Sequence, residues 1–153
     1  MGLAYQDTAI ALMGHRFKNY DALASFAVTL GTATSAGLAI VAFTPLSEFY
    51  FVTISGLTPA LADFALTPTR VMVLLPALSV LLSLQRAVLV ESRRTELITI
   101  ATALEVLTVA VVFIALGFGM DVVGATAAFS AFFGGRLMSN AYLAWKLRGV
   151  RSK

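Results

Sequence analysis

The chain contains no cysteine and a single histidine. Without cysteine there are no disulfides, no thiolate metal ligands and no sulfur nucleophile. One histidine, His15, cannot build a metal site alone; beside Arg16 and Lys18 it reads as a solvated loop residue. Charge is also scarce. Asp, Glu, Lys and Arg make up 12% of the 153 residues, against about 25% in a soluble domain. So few charges cannot cover a water-facing surface, which excludes an ordinary soluble fold. The chain is instead 59% hydrophobic with a mean hydropathy of +0.88, arranged in long uncharged runs, the pattern of a membrane protein.

Other absences narrow the function. No nucleophile–base pair, phosphate-cradling glycine loop or cluster of metal ligands is present, so enzyme chemistry has no positive support and no cofactor or metal is expected. The net charge of +3 would suggest nucleic acid in a soluble chain. Here the basic residues lie in loops and the tail, so the expected counter-charge is anionic lipid headgroups and no nucleic-acid partner is expected. The N-terminus lacks signal-peptide order, since Asp7 comes early and Arg16 and Lys18 follow the apolar residues. Gln6 stands where myristoylation requires Ser or Thr.

The expected fold is all-α: a polytopic membrane protein with four transmembrane helices, a short N-terminal helix and a short outer-loop helix. Residues 1–20 form the short helix, closed by Gly14, and a basic connector. At about 1.5 Å per residue the first fourteen cover roughly 21 Å, too little for a hydrocarbon core of about 30 Å. They read either as an interfacial helix or as the end of a longer one. Residues 21–147 form the bundle, with spans at about 22–43, 68–90, 97–118 and 122–147, and 148–153 are a basic tail. Asp21 is the expected N-cap of the first span and Thr44-Pro45 its end. Thr58-Pro59 opens a short outer helix to about Leu66, and Thr67-Pro68 opens the second span. Pro76 inside that span predicts a kink, because it cannot donate to the Met72 carbonyl. Gly117-Phe118-Gly119 and Asp121 make a short turn between the third and fourth spans.

Orientation follows the basic residues. The N-terminal connector, the island Gln85–Thr95 and the tail hold nine of the eleven: Arg16, Lys18, Arg86, Arg93, Arg94, Lys146, Arg148, Arg151 and Lys153. Arg86, Arg93 and Arg94 are read as a cytoplasmic basic loop. The opposite loops hold Arg70 with Glu48, Asp63 and Asp121. By the positive-inside rule both termini face the cytoplasm, in a plasma or inner membrane.

A charge at bilayer depth costs roughly 2.5–3.5 kcal/mol and marks a functional candidate. Glu105 in the third span and Arg136 in the fourth are two such charges. Counted along helices, they lie about 12 Å and 16 Å from the same side. A short turn makes these spans antiparallel neighbours, so the two residues are expected to face each other or share one polar cavity. Ser139 and Asn140 share the Arg136 face, and Thr102 and Thr108 flank Glu105 at three residues either way. The group is read either as part of a transport path or as a static pair fixing helix register. The small residues of the first and fourth spans, such as Gly31, Ala131 and Gly135, read as close-packing faces.

Several phrases together carry a family likeness. Ala11-Leu12-Met13-Gly14 precedes the connector His15–Lys18, and Thr44-Pro45-Leu46 closes a span before a long outer connection. Pro76 is followed by the island and by Ile98-Thr99-Ile100-Ala101-Thr102. Gly117-Phe118-Gly119 and Gly124-Ala125-Thr126-Ala127-Ala128 open the last span, which ends in the basic tail. From Ala9 to Arg148 this layout resembles the last four helices of a six-helix half of a multidrug and toxic compound extrusion (MATE) transporter, or of the related polysaccharide and lipid-linked oligosaccharide flippases. The resemblance implies membrane transport of an amphipathic or lipid-linked solute. Family members carry two such halves, so the chain is expected to self-associate or to meet a complementary membrane subunit. Their cation-coupling acids usually sit in the first helix of a half, which has no counterpart here, so no coupling residue is carried over. The alternative expectation is an accessory or structural membrane protein without transport of its own. A small four-helix drug exporter fits less well, because its key glutamate belongs in the first span, which is uncharged here.

Overall fold

The computed structural model describes residues 2–13, 17–119 and 124–151. Gly14, His15, Arg16, Asp121 and Lys153 lie outside them, and with them the expected helix closure at Gly14, the loop reading of His15 and the turn at Asp121. The described residues form helices α1 (Gly2–Met13), α2 (Tyr20–Phe43), α3 (Leu46–Glu48), α4 (Pro59–Met72), α5 (Leu75–Glu91), α6 (Glu96–Gly119) and α7 (Gly124–Arg151). A π-helical turn, Phe49–Ile54, follows α3 directly.

Helix α2 grows from the uncharged run after Asp21. Its threonines do not bring unmet donors into an apolar setting: Thr29, Thr32 and Thr34 each donate to a carbonyl one turn back, at Ser25, Val28 and Leu30. The helix begins one residue before the expected cap. Tyr20 is already helical, Asp21 sits in the first turn where the dipole favours an anion, and Asn19 is the boundary residue. The Asn19 side chain turns back instead, donating to the Leu12 carbonyl at 2.8 Å and so tying α2 to the end of α1. As Thr44-Pro45 implies, α2 stops at Phe43, with Thr44 extended.

The outer helix opens at Pro59, after an extended Thr58. It does not end near Leu66. It continues through Pro68 to Met72, so the expected boundary at Thr67-Pro68 is absent. The interruption lies at Val73–Leu74, and Pro76 falls in the first turn of α5. There a missing N–H leaves no helical bond unmade, so proline is tolerated. The kink expected at Pro76 is therefore a break just upstream of it. The first turn of α5 still has N–H groups to satisfy. One, at Ala77, donates to the Ser35 hydroxyl of α2 at 3.2 Å.

Packing is built from small residues at a spacing of four. On α2, Leu23, Ala27, Gly31 and Ser35 are buried, and a Cβ on Gly31 would stand 3.1 Å from the Ala77 Cα. On α1, Tyr5, Ala9 and Met13 are buried against Val80, Leu84, Ala87 and Val88 of α5. The Tyr5 hydroxyl donates to the Leu23 carbonyl at 2.8 Å. Helix α1 thus packs into the bundle along α5. On α7, Ala127, Ala131, Gly135, Ser139 and Leu143 form one buried stripe that meets α6 in antiparallel register. In contrast, α6 buries only Ala101 and Glu105. Its Val106, Leu107, Val111, Ile114 and Phe118 are exposed, Phe118 at 84%.

Among the described residues, three stretches are long and apolar enough to cross a membrane: α2, the interrupted pair Pro59–Glu91, and α6. The exposed aliphatic faces then have lipid to meet. Helix α7, with Arg136, Asn140, Lys146 and Arg148 in its 28 residues, is not among the three.

At the island, α5 ends in a tight C-cap. The Arg94 N–H bonds the Leu89 carbonyl at 2.9 Å and the Arg93 N–H bonds the Val90 carbonyl at 3.0 Å. These are the two bonds of a Schellman motif, whose C′ residue adopts the left-handed conformation. That residue is Arg93, with φ +56°. The turn brings α6 back alongside α7.

Candidate functional site

Glu105 sits nine residues into α6 and is buried, at 8% exposure. Gly135 of α7 lies over its backbone, which lets the two helices approach closely and places Arg136 beside the carboxylate. Oε1 of Glu105 is 3.3 Å from Nη1 of Arg136. The other oxygen, Oε2, is 3.8 Å from Nη2 of Arg86, which reaches across from α5. One carboxylate therefore stands between two guanidiniums. The Arg86 Nη2 also donates to Thr102 Oγ1 at 3.2 Å, and Thr102 passes its own proton to the Ile98 carbonyl at 2.9 Å. The Arg136 guanidinium lies over the Phe132 ring, 5.1 Å from its centroid, a contact that stabilises a cation.

Beside this cluster, Asn140 joins α7 to α5. Its amide donates to the Leu78 carbonyl at 3.1 Å and to the Arg136 carbonyl at 2.8 Å. The Gln85 amide returns a bond to the Asn140 carbonyl oxygen at 3.3 Å. The region is polar but not fully matched. The Nε atoms of Arg86 and Arg136, Gln85 Oε1, Ser139 Oγ and Asn140 Oδ1 are buried with no hydrogen-bond partner in the protein. Buried polar atoms are usually paired, so each of these asks for a reason.

Arg86, Thr102, Glu105 and Arg136 line one end of an open groove of about 490 Å³. The rest of its wall is apolar: Val106, Val109, Ala110 and Phe113 from α6 and Phe132 from α7. The carboxylate is held by two cations, and the one hydroxyl in the groove is engaged on both sides. The arrangement suits the holding of charge beside an apolar surface, with no nucleophile set against a base.

Glu105 and Arg136, expected to meet, do meet. Asn140 and Thr102 join the same polar region. Ser139, three residues past Arg136, is fully buried in the stripe facing α6. Thr108 does not line the groove, and its hydroxyl donates to the Leu104 carbonyl at 2.7 Å. Pro76 lies outside the groove. Arg93 and Arg94 are exposed on the island, but Arg86 is not part of that loop. It belongs to α5, and its side chain, 19% exposed, runs inward to Glu105. Gln85 was not singled out by sequence either. Its position one residue before Arg86, inside an apolar helix, was the available signal.

No protein-family model, curated protein or solved structure matches this chain.

Proposed function

We propose that this protein is a transporter-like integral membrane protein in which the groove between α5, α6 and α7 forms part of the path of an amphipathic solute. The observation that carries the reading is the shared carboxylate. Two arginines and one glutamate stand at the head of a groove whose remaining wall is aliphatic and aromatic, so a polar head and an apolar tail each find a surface. Charges inside an apolar bundle are expensive and tend to mark solute or ion pathways. In this reading α7 crosses the membrane as a fourth span, antiparallel to α6, and both termini lie on the cytoplasmic side with Arg93 and Arg94. The layout resembling the extrusion and flippase superfamily agrees with it, and so does function as an oligomer or with a complementary subunit.

The test is flux of a fluorescent amphiphile in proteoliposomes, comparing the parent with the double variant Glu105→Gln, Arg136→Met. Normal folding with lost flux supports the reading. Normal folding with full flux removes these residues from the path. A stable monomer that moves nothing removes transport.

A second reading has its own support. Gly135 places the α6 and α7 backbones in contact at the Glu105–Arg136 pair, which suits an ion pair that fixes helix register. In that case the protein is an accessory or structural membrane component, and the double variant changes stability alone.

A further inference from the structure

The groove holds two guanidiniums and one carboxylate, an excess of one positive charge. All three side chains are largely withdrawn from solvent: 19% and 20% exposed for Arg86 and Arg136 and 11% for Glu105. An uncompensated charge in such a setting is costly. The two contacts are also unequal. Arg136 is close to Glu105 at 3.3 Å, whereas Arg86 stands off at 3.8 Å. Each guanidinium keeps a buried Nε–H without an acceptor. The site therefore lacks one negative charge, beside an apolar wall.

We infer that the groove binds a singly charged anionic amphiphile, its anionic oxygens between Arg86 and Arg136 and its alkyl chain along Val106, Val109, Ala110 and Phe113. A lone anionic oxygen group brings what is missing: one negative charge and acceptors for guanidinium donors, which bind such groups by strong charge-assisted hydrogen bonds. A zwitterionic head brings an added cation into a site already positive. A head with two or more negative charges overshoots and leaves a buried negative excess. The wall of Val106–Phe113 then selects a molecule with a tail over a small free anion. This assignment names the ligand class of the groove and rests on reading it as a solute site, but it concerns binding and is tested without flux.

Native mass spectrometry of the purified protein in a neutral detergent, titrated with phosphatidylglycerol and phosphatidylcholine of identical acyl chains, reads the preference directly. Inorganic phosphate, used at a mildly acidic pH where it carries a single negative charge, serves as the head without a tail. Phosphatidylglycerol is expected to bind about tenfold more tightly than phosphatidylcholine, the scale of one charge-assisted hydrogen bond; phosphate alone is expected not to bind. Arg86→Gln keeps the Glu105–Arg136 pair and removes the excess charge, so the preference is expected to vanish. Arg86→Lys is expected to retain most of it. Glu105→Gln raises the excess and is expected to strengthen anion binding. If that variant does not fold, Arg86→Gln against Arg86→Lys decides alone. Equal binding of both lipids, or a preference that survives Arg86→Gln, overturns the assignment. Phosphate binding as tightly as the lipid overturns its amphiphilic half. Selective binding without flux leaves this inference standing and removes transport; flux of a neutral amphiphile without selective binding does the reverse.

Discussion

A Cβ placed on Gly135 would stand 2.9 Å from the carbonyl oxygen of Glu105, as well as 2.6 Å from Cγ2 of Val109. Neither contact yields readily: Val109 is β-branched and stiff, and the carbonyl is backbone. Helix α7 lies against α6 at this point because no side chain stands between them.

Gly135→Ala is therefore expected to force the helices apart by tenths of an ångström and lengthen the Glu105–Arg136 contact. Overpacking of this kind costs typically about 1–3 kcal/mol. Thermal unfolding in detergent checks it, and Gly134→Ala is the control: a Cβ there meets only Val112 Cγ2, at an ordinary 3.9 Å. Equal losses in the two variants would contradict the close-contact account.

The shared carboxylate makes the ion pair asymmetric. Removing Arg136 as Met leaves Glu105 with Arg86. Removing the charge of Glu105 as Gln leaves two buried cations facing each other. Leaving a buried charge unpaired costs about 3–5 kcal/mol in general. Glu105→Gln is thus expected to be clearly more destabilising than Arg136→Met, and Arg86→Gln the mildest of the three. Denaturation of the single variants in one detergent ranks them, and a costlier Arg136→Met than Glu105→Gln would refute the shared arrangement.

Arg93 closes α5 in the left-handed region, which most side chains avoid and glycine accepts. Arg93→Gly is expected to stabilise the folded protein by up to about 1 kcal/mol, since the relief at φ +56° outweighs the added freedom of the unfolded chain. A raised melting temperature is the expected readout. A lowered one would mean that the Arg93 side chain contributes more than its backbone costs.

Because the chain has no cysteine, single cysteines report topology without background. In sealed inside-out and right-side-out vesicles, Arg93→Cys and Lys146→Cys are expected to react with a membrane-impermeant maleimide from the same side. Ser55→Cys is expected to react from the other. Labelling of residues 93 and 146 from opposite sides would mean that the α6–α7 hairpin does not cross the membrane and return.

How much of this was legible beforehand depended on what kind of signal was involved. The uncharged runs around Gly31 and Val111 marked α2 and α6, because burial in lipid needs length and lack of charge, and both are countable. The meeting of Glu105 with Arg136 followed from depth along two helices joined by a short turn. Local chemistry misled where tertiary packing decided. Thr67-Pro68 has the form of a helix start, yet α4 runs through it, and the break falls at Val73–Leu74, where Ser35 of another helix satisfies an N–H of the new first turn. Arg86 was assigned to the island by its neighbours in sequence. A side chain as long as arginine can point along the helix in either direction, and only the position of Glu105 decides which.

The unequal sharing of Glu105 bears on how the protein enters a bilayer. In the proposed four-span arrangement, a newly made α6 that partitions alone carries a bare carboxylate into hydrocarbon, and α7 alone carries Arg136. Each step is uphill by roughly 2.5–3.5 kcal/mol. Delivered as a neutralised hairpin, with Arg86 of the preceding helix already in place to receive the carboxylate, the same segments avoid most of that penalty. Order of synthesis thus matches order of need: the guanidinium of α5 emerges from the ribosome before the acid it meets, and the second cation comes last.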